Sequence, residues 1–158
     1  MGKHDIQLRK ILASVLIVFI VAGSVGAVVI LSKKNPSSPP IPHTIQVVNG
    51  TADVEAGAYL DYQFTIPPNA SNIHVSGTFT VQGSSGSGIT VYIFDGTNFN
   101  VYENGGDFGG LYQSGQTTTA SISSNLDTSG NYYLVLDNTL STNQKTVNIQ
   151  ANATYYTP

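Results

Sequence analysis

Four oxygen-bearing side chains are the strongest candidates for binding chemistry, and the chemistry they suit is coordination of Ca²⁺. Asp95, Asn98, Asp107 and Asp137 all fall in predicted loops or at predicted strand ends, and carboxylate and amide oxygens are the ligands that Ca²⁺ prefers. The spacing of an EF-hand loop is absent, however, and Asp and Asn are also the ordinary residues of turns. Turn formation is therefore the simpler interpretation, although it explains Asp107, inside the glycine-rich stretch 104–110, less well than the others.

The sequence offers no pattern for nucleophilic or metal-assisted catalysis. A catalytic serine needs a neighbouring base, but the histidines from residue 43 onward are His43, beside a run of prolines, and His74, at an outward strand position. These two are not spaced as a metal-binding pair, and the G-x-S-x-G motif does not occur. The chain has no cysteine, which excludes thiolate chemistry and disulfides. We therefore expect a protein that is not an enzyme and uses no cofactor.

Glycosylation and sugar binding are two further candidate properties. Asn49, Asn69 and Asn152 each begin an Asn-X-Ser/Thr acceptor sequence. A sugar-binding face would need exposed aromatic side chains, whereas most of the tyrosines are better explained by packing in a core or on a sheet face. The tyrosines that enter this comparison are Tyr59, Tyr92, Tyr102, Tyr112, Tyr133, Tyr155 and Tyr156.

The charges divide the chain into a basic and an acidic part. Residues 1–42 carry five basic side chains and one acidic, a net charge of +4, and residues 43–158 carry eight acidic side chains and one lysine, a net charge of −7. The acidic part cannot neutralise phosphates, which excludes nucleic acid as a partner. Charged residues make up only 9% of the chain, and the Ser, Thr, Asn, Gln and Gly that replace them are typical of domains displayed outside a cell.

The apolar stretch 11–32 holds 22 residues with no charge and no proline. A helix of that length rises about 33 Å and would cross a bilayer core. The sequence therefore predicts a basic cytoplasmic tail, 1–10, and a transmembrane helix, 11–32. The positive charges and the character of the following domain favour a cytoplasmic N-terminus. A cleaved signal peptide and a pilin-type leader are the alternatives, and pairs of small residues in the stretch would allow two helices to associate.

Residues 33–43 are predicted to form a stalk. Four of these eleven residues are proline, which favours an extended polyproline II conformation.

From residue 44 to the end, apolar and polar residues alternate with the period of a β-strand. About eight short strands separated by turns predict an antiparallel β-sandwich of jelly-roll type over residues 44–158. Asp95–Asn98 is predicted as a hairpin turn with a returning strand Phe99–Glu103, and no helix is expected in the domain. The other predicted strands are Ala58–Ile66, Ile73–Gln82, Ile89–Phe94, Thr117–Ser123, Tyr132–Leu136 and Gln144–Tyr155.

Three segments together resemble the GOLD (emp24-like) domain and the pre-peptidase C-terminal domain. They are Ala56–Phe64, Gly88–Ile93, and Ser129–Asn138 followed by Lys145-Thr146-Val147. Both families are extracytoplasmic β-sandwiches, so the resemblance implies that fold for residues 45–156. The emp24-type cargo receptors carry a disulfide, a coiled coil and a C-terminal span, which this sequence lacks, so a trafficking role does not carry over.

These observations predict a single-pass protein of the cell membrane that displays a non-enzymatic β-sandwich for contact with a protein or the cell envelope. The first alternative is a pilin-like or envelope subunit that assembles through residues 11–32, and the second is a carbohydrate- or calcium-binding surface domain. The expected partners are the membrane, a protein or glycan at the cell surface, and a second copy of the chain through its apolar helix.

Overall fold

In this computed structural model the described residues are 15–19, 28–32, 39–83 and 88–158. The chain divides into two compact units, residues 1–38 and residues 39–158. The predicted cytoplasmic tail and most of the predicted stalk lie outside the described residues.

The first unit contains an antiparallel pair of strands, β1 (Val15–Phe19) and β2 (Val28–Ser32). Both strands fall within the predicted transmembrane helix 11–32, so these ten residues do not support that prediction. Both are rich in valine and isoleucine, whose branched side chains favour the extended conformation. The rest of the 11–32 segment lies outside the described residues, and none of the helices described is long and apolar enough to span a membrane.

The second unit is a sandwich of two antiparallel four-stranded sheets, in the orders β3-β10-β5-β8 and β4-β9-β6-β7. Its elements are β3 (Ile41–Val54), β4 (Tyr59–Ile66), β5 (Ser71–Val81), β6 (Thr90–Asp95), α1 (Gly96–Glu103), β7 (Tyr112–Gln113), β8 (Thr119–Leu126), β9 (Gly130–Asp137) and β10 (Lys145–Thr157). Counted within this unit, one sheet joins its first, last, third and sixth strands, and the other joins its second, seventh, fourth and fifth. That is the strand order of a jelly roll, so the predicted β-sandwich is confirmed.

The core lies between the two sheets, because alternate residues of each strand point inward. The largest inward side chains include Phe64, Ile66, Ile73, Phe79, Ile93, Ile122, Leu134, Leu136 and Ile149, all of them buried. β6 is apolar on both faces and lies between β9 and β7, as its sequence predicts for an interior strand.

β3 begins earlier than the sequence suggests. Ile41 pairs with Thr157, so the last three residues of the predicted stalk form part of the long β3–β10 ladder. The His43 ring stacks on Tyr155 with centroids 5.1 Å apart, and its Nε2 lies 2.9 Å from the Thr157 hydroxyl.

Helix α1 replaces the predicted hairpin. The prediction of a turn at Asp95–Asn98 and a strand at Phe99–Glu103 is wrong, because Gly96–Glu103 is helical. Asp95 caps the helix: its carboxylate accepts a hydrogen bond from the backbone N–H of Asn98 at 2.8 Å.

The sequence does not predict this helix, because α1 has no apolar stripe along one side. Phe99 is its one buried residue, and the ring stacks on Tyr133 with centroids 4.0 Å apart. Without that tertiary contact, Asp-Gly followed by polar residues has the composition of a hairpin turn.

Candidate functional site

The outward side of the β3-β10-β5-β8 sheet offers a broad surface for contact with another molecule. The strand register aligns sixteen outward side chains in four rows that cross all four strands. The rows, which together we call the polar face, are Thr51–Asn148–Thr80–Thr119, Asn49–Gln150–Thr78–Ser121, Gln46–Asn152–Ser76–Ser123 and Thr44–Thr154–His74–Asn125. From strand geometry the face measures roughly 14 Å by 20 Å.

The polar face is accessible and carries no Asp, Glu, Lys or Arg. Twelve of its side chains are exposed and the other four are half-buried. A carboxylate lies just beyond the first row, where Asp53 accepts a hydrogen bond from the Thr146 hydroxyl at 2.6 Å. Because no ion must lose its water shell on contact, an uncharged partner can bind here without the desolvation cost of a buried charge.

Hydrogen bonds within the rows hold part of the face in one arrangement. The Thr51 hydroxyl donates to Asn148 Oδ1 at 2.7 Å, and His74 Nδ1 lies 2.9 Å from Asn125 Oδ1. A shallow depression of about 350 Å³ lies over the first two rows, and its lining includes Asn49 and Gln150. The face therefore presents ordered hydroxyl and amide groups that both donate and accept.

Two of the predicted glycosylation sites lie on the polar face. Asn49 is exposed on β3, and Asn152 is half-buried at the bulge where the β3–β10 register shifts. Asn69 lies elsewhere, exposed in the β4–β5 turn with a positive φ of 67°. Glycans on the first two residues would cover the face, whereas a glycan on Asn69 would leave it free.

The outward side of the β4-β9-β6-β7 sheet is aromatic and covered. Helix α1 and the loop after it pack an aromatic cluster on this side, consisting of Tyr59, Tyr92, Phe94, Phe99, Tyr102, Phe108 and Tyr133. The Tyr102 ring packs edge-on against Phe108 with centroids 5.1 Å apart. Four of the tyrosines considered for sugar binding thus pack within this cluster, which agrees with the packing interpretation.

Burial also sets the acidity of these tyrosines. Burial, and next the Asp137 carboxylate, raise the pKa of Tyr102 well above its ordinary value. Burial, and next the hydrogen bond that its hydroxyl donates to Glu103 at 3.0 Å, raise the pKa of Tyr59. Both side chains therefore stay neutral at physiological pH and act as packing groups.

The four calcium candidates do not come together. Asp95 and Asn98 adjoin at the start of α1, where the Asn98 amide donates to the Asp95 carboxylate at 3.0 Å. Asp95 lies opposite Tyr132 in the sheet, five residues from Asp137 along β9, or roughly 17 Å at the rise of a strand. Asp107 is exposed in the loop after α1. In the described part of the chain, no group of three or more His, Cys, Asp or Glu side chains is arranged to hold a metal.

Asp137 and Asn138 organise the end of β9 instead. Asp137 Oδ1 accepts hydrogen bonds from the Thr139 backbone N–H at 2.8 Å and from its hydroxyl. The Asn138 side chain is only 2% exposed, and its Nδ2 donates to the carbonyls of Val54, Glu55 and Asn143. Asn138 thus ties the end of β9 to the end of β3, and Asp137 holds the turn that follows β9. Both belong to the segment that carries the family resemblance.

Comparison with known proteins gives likenesses of fold only. No protein-family model and no curated protein matches the chain. Among solved structures, a Bacillus endospore-appendage pilus is 14% identical, with 80% of this chain and 97% of that chain covered and a TM-score of 0.47. The pre-peptidase C-terminal domain of a Bacillus anthracis collagenase is 14% identical over 71% of this chain and 88% of that chain, with a TM-score of 0.38.

A third similar structure is the capsid of cyanophage Pam1, 15% identical over 81% of this chain and 93% of that chain, with a TM-score of 0.43. The pre-peptidase C-terminal half of the predicted resemblance thus has a counterpart among these structures, and the GOLD half stays a prediction. The assignment to the jelly-roll class rests on the strand order and register of this chain itself.

Proposed function

We propose that the protein is a non-enzymatic, membrane-anchored surface module that binds a protein or cell-envelope partner through the polar face. One observation carries the proposal: sixteen outward hydroxyl, amide and imidazole side chains form four aligned rows without a charged residue. A rigid sheet of mixed donors and acceptors suits a partner that is itself uncharged and rich in hydrogen-bonding groups. Such a contact depends little on ionic strength, because it involves no ion pairs.

The anchoring part of the proposal rests on the sequence of residues 11–32. The length and hydropathy of this uncharged stretch suit a membrane span, and its flanking charges favour a cytoplasmic N-terminus. In this proposal the β-sandwich lies outside the cell, at the end of a short proline-rich connection.

Charge placed in the middle of the polar face tests the binding part. Thr78→Lys and Gln150→Lys each put an ammonium among uncharged groups at exposed positions, and we expect each to lower retention of the purified β-sandwich on envelopes of the source cell about tenfold or more. The matched control is Gln63→Lys, which adds the same charge at an exposed position of β4. Equal retention of all three variants and the wild type would overturn the proposal.

Protease treatment of intact cells tests the anchoring part. With one tag before Met1 and another after Pro158, we expect loss of the C-terminal tag alone, while the N-terminal tag stays with the membrane. Protection of both tags would contradict the proposed topology. Removal of residues 1–10 from the mature chain would favour a pilin-like protein, and cleavage near Ala27 would indicate a released module.

A pilin-like or envelope subunit is the second candidate function. The favouring observation is the apolar stretch 11–32, in which Ala22 and Gly26 form one of two small-residue pairs that allow close approach of two chains. Electron microscopy of the full-length protein separates the two candidates, because a subunit forms ordered polymers that Gly26→Leu disrupts, whereas a simple anchor does not.

A further inference from the structure

Among the described strands, β3 presents the longest unpaired edge. It runs for 14 residues along one side of its sheet and pairs there with β10 alone, whereas the other edge strands, β4, β8 and β7, have eight, eight and two residues. From Ile41 to Ala52 it carries no charged side chain. Its first half contains Pro42 and a bulge, so the regular part is 48–54. A long edge without charges is the kind of surface to which a further strand adds.

The strand register shows which backbone groups of this edge point away from the sheet. The Gln82 N–H donates to the Thr146 carbonyl, so β10 bonds to β5 through its even-numbered residues. Because successive residues of a strand point their backbone groups to opposite sides, β10 bonds to β3 through its odd-numbered residues, which lie opposite even-numbered residues in the regular part of β3. The N–H and C=O groups that point outward therefore belong to Asn49, Thr51 and Asp53.

The edges of β8 and β4 differ from this edge. On β8 the chain itself occupies two outward carbonyls: the Tyr112 hydroxyl donates to the carbonyl of Ser121 at 2.7 Å, and the Thr117 hydroxyl donates to that of Thr119 at 3.1 Å. β4 carries an exposed carboxylate, Asp61, within its eight residues, and such a charge opposes pairing with a second acidic chain. In the part of the chain that the structure describes, no side chain donates to an outward carbonyl in the regular part of β3.

We propose that a second copy of this chain adds to this edge, with β3 paired antiparallel to β3 about a two-fold axis at Thr51. Thr51 then lies opposite Thr51 of the second copy, and Asn49 lies opposite Asp53. Because the backbone groups of all three residues point outward, the two strands exchange roughly six hydrogen bonds. Between them Gly50 lies opposite Ala52 of the second copy, so no bulky side chain obstructs the approach.

The charges at this edge favour a second copy in this register. Residues 43–158 carry a net charge of −7, so two copies repel each other wherever their carboxylates meet. Asp53 is the charged residue of the regular part, and the axis at Thr51 offsets the two Asp53 residues by about 13 Å along the strands. Each exposed Asn49 amide then donates to an Asp53 carboxylate, whose Oδ1 already accepts from the Thr146 hydroxyl.

The pairing joins two four-stranded sheets into one sheet of eight strands. The two-fold axis of such a pair is perpendicular to the sheet, so the polar faces of the two copies lie on the same side. Together they form one continuous surface of about twice the width. A partner with repeating groups could bind both halves at once, which raises its apparent affinity.

Disulfide formation between single-cysteine variants tests the pairing, because the chain has no cysteine of its own. The full-length protein is made in a host without N-glycosylation and kept in detergent. We expect Thr51→Cys to form a disulfide-linked dimer about tenfold faster or more than Thr119→Cys, the control at an exposed position of the β8 edge. The Cα atoms of directly opposite residues lie roughly 5.5 Å apart, a distance that a disulfide spans.

A mixture of Asn49→Cys and Asp53→Cys tests the register. These two positions face each other across the pair, so the mixture should form the disulfide, whereas each variant alone should not, because its two copies are offset by about 13 Å. Adding Thr51→Glu to both variants should abolish the disulfide, since it sets two carboxylates directly opposite each other. Adding Thr119→Glu instead should leave the disulfide unchanged.

Equal rates for Thr51→Cys and Thr119→Cys would overturn the proposal, since random collision or contact through residues 11–32 would then explain both. A disulfide in Asn49→Cys alone would overturn the register. An adduct of Thr51→Cys with a different protein would overturn the second copy as the occupant of the edge. Urea unfolding checks that Thr51→Glu folds as the wild type does. Disulfide formation needs no envelope partner, so its outcome is independent of retention on envelopes.

Discussion

The two outward faces of the sandwich carry different side chains, polar on one and aromatic on the other, although each lies on a four-stranded antiparallel sheet. The polar face of β3-β10-β5-β8 consists of hydroxyl, amide and imidazole groups that remain accessible. The corresponding side of β4-β9-β6-β7 carries the aromatic cluster, over which the chain folds α1 and the loop that follows it. One sheet is therefore covered by its own chain, whereas none of the helices and loops described in residues 39–158 packs over the polar face of the other.

This difference means that the residues that stabilise the fold and the residues available for contact with a partner lie on different faces. The aromatic cluster adds a second apolar layer outside the main core, so its side chains contribute to folding as core residues do. The side chains of the polar face keep their contact with water in the folded chain, so their removal should change stability little. Substitutions in the aromatic cluster should consequently lower stability, and substitutions on the polar face should weaken partner binding.

The largest expected effect on stability follows removal of the ring that holds α1. Phe99 is 7% exposed and stacks on Tyr133, so Phe99→Ala should lower the free energy of unfolding by about 3 kcal/mol or more. Thr97→Ala, at an exposed position of the same helix, is the control and should change it by less than about 0.5 kcal/mol. Urea unfolding measures both, and equal values for the two variants would show that the cluster is not a stabilising layer.

A smaller effect is expected at the start of the helix. Asp95→Ala removes the side chain that caps α1 through the Asn98 N–H, and we expect a loss of about 1 kcal/mol in the free energy of unfolding. Asp107→Ala removes a carboxylate from the exposed loop after the helix and should have almost no effect. Loss of partner binding in Asp95→Ala would contradict the assignment of binding to the polar face, since α1 lies on the other sheet.

Alkaline pH should lower stability in part through Tyr102 of the aromatic cluster. The pKa of Tyr102 is raised in the folded chain, so above pH about 10 the unfolded chain releases this proton while the folded chain retains it, and stability falls as pH rises. In Tyr102→Phe this decline should be shallower, and at pH 7 the substitution should be nearly neutral because the hydroxyl has no partner. Urea unfolding from pH 7 to 11 measures both statements, and an equally steep decline in the variant would exclude Tyr102 as the source.

The sequence predicts the sandwich and the polar character of its outward residues, but not which outward residues lie together. Alternation in β5 and β10 places Thr78 and Gln150 outward, and the structure agrees. Their position side by side depends on the register of the β5–β10 pairing, which joins the third and the last strand of the sandwich. Such pairing over a long sequence distance leaves no local pattern.

Tertiary contacts also explain where predictions from local sequence patterns were wrong. The Asp95-Gly96 pair resembles a hairpin turn, yet the segment is helical and its one buried residue, Phe99, stacks on Tyr133. The calcium prediction depends on positions in loops, but Asp95 and Asp137 lie near opposite ends of β9 and cannot share an ion. The sequence places Asn138 in the segment that carries the family resemblance but does not predict its structural role, because that role depends on a buried amide bonded to distant carbonyls.

The smallest effect on stability should come from the polar face, and this prediction completes the comparison. Thr78→Ala and Gln150→Ala remove exposed side chains from the centre of the face, and each should change the free energy of unfolding by less than about 0.5 kcal/mol. Partner binding should nevertheless weaken, because the hydrogen-bonding groups are lost, and Gln63→Ala on β4 should leave it intact. Urea unfolding and envelope retention should be measured on the same variants. A loss of stability without a loss of binding would assign these residues to folding and contradict a binding function for the polar face.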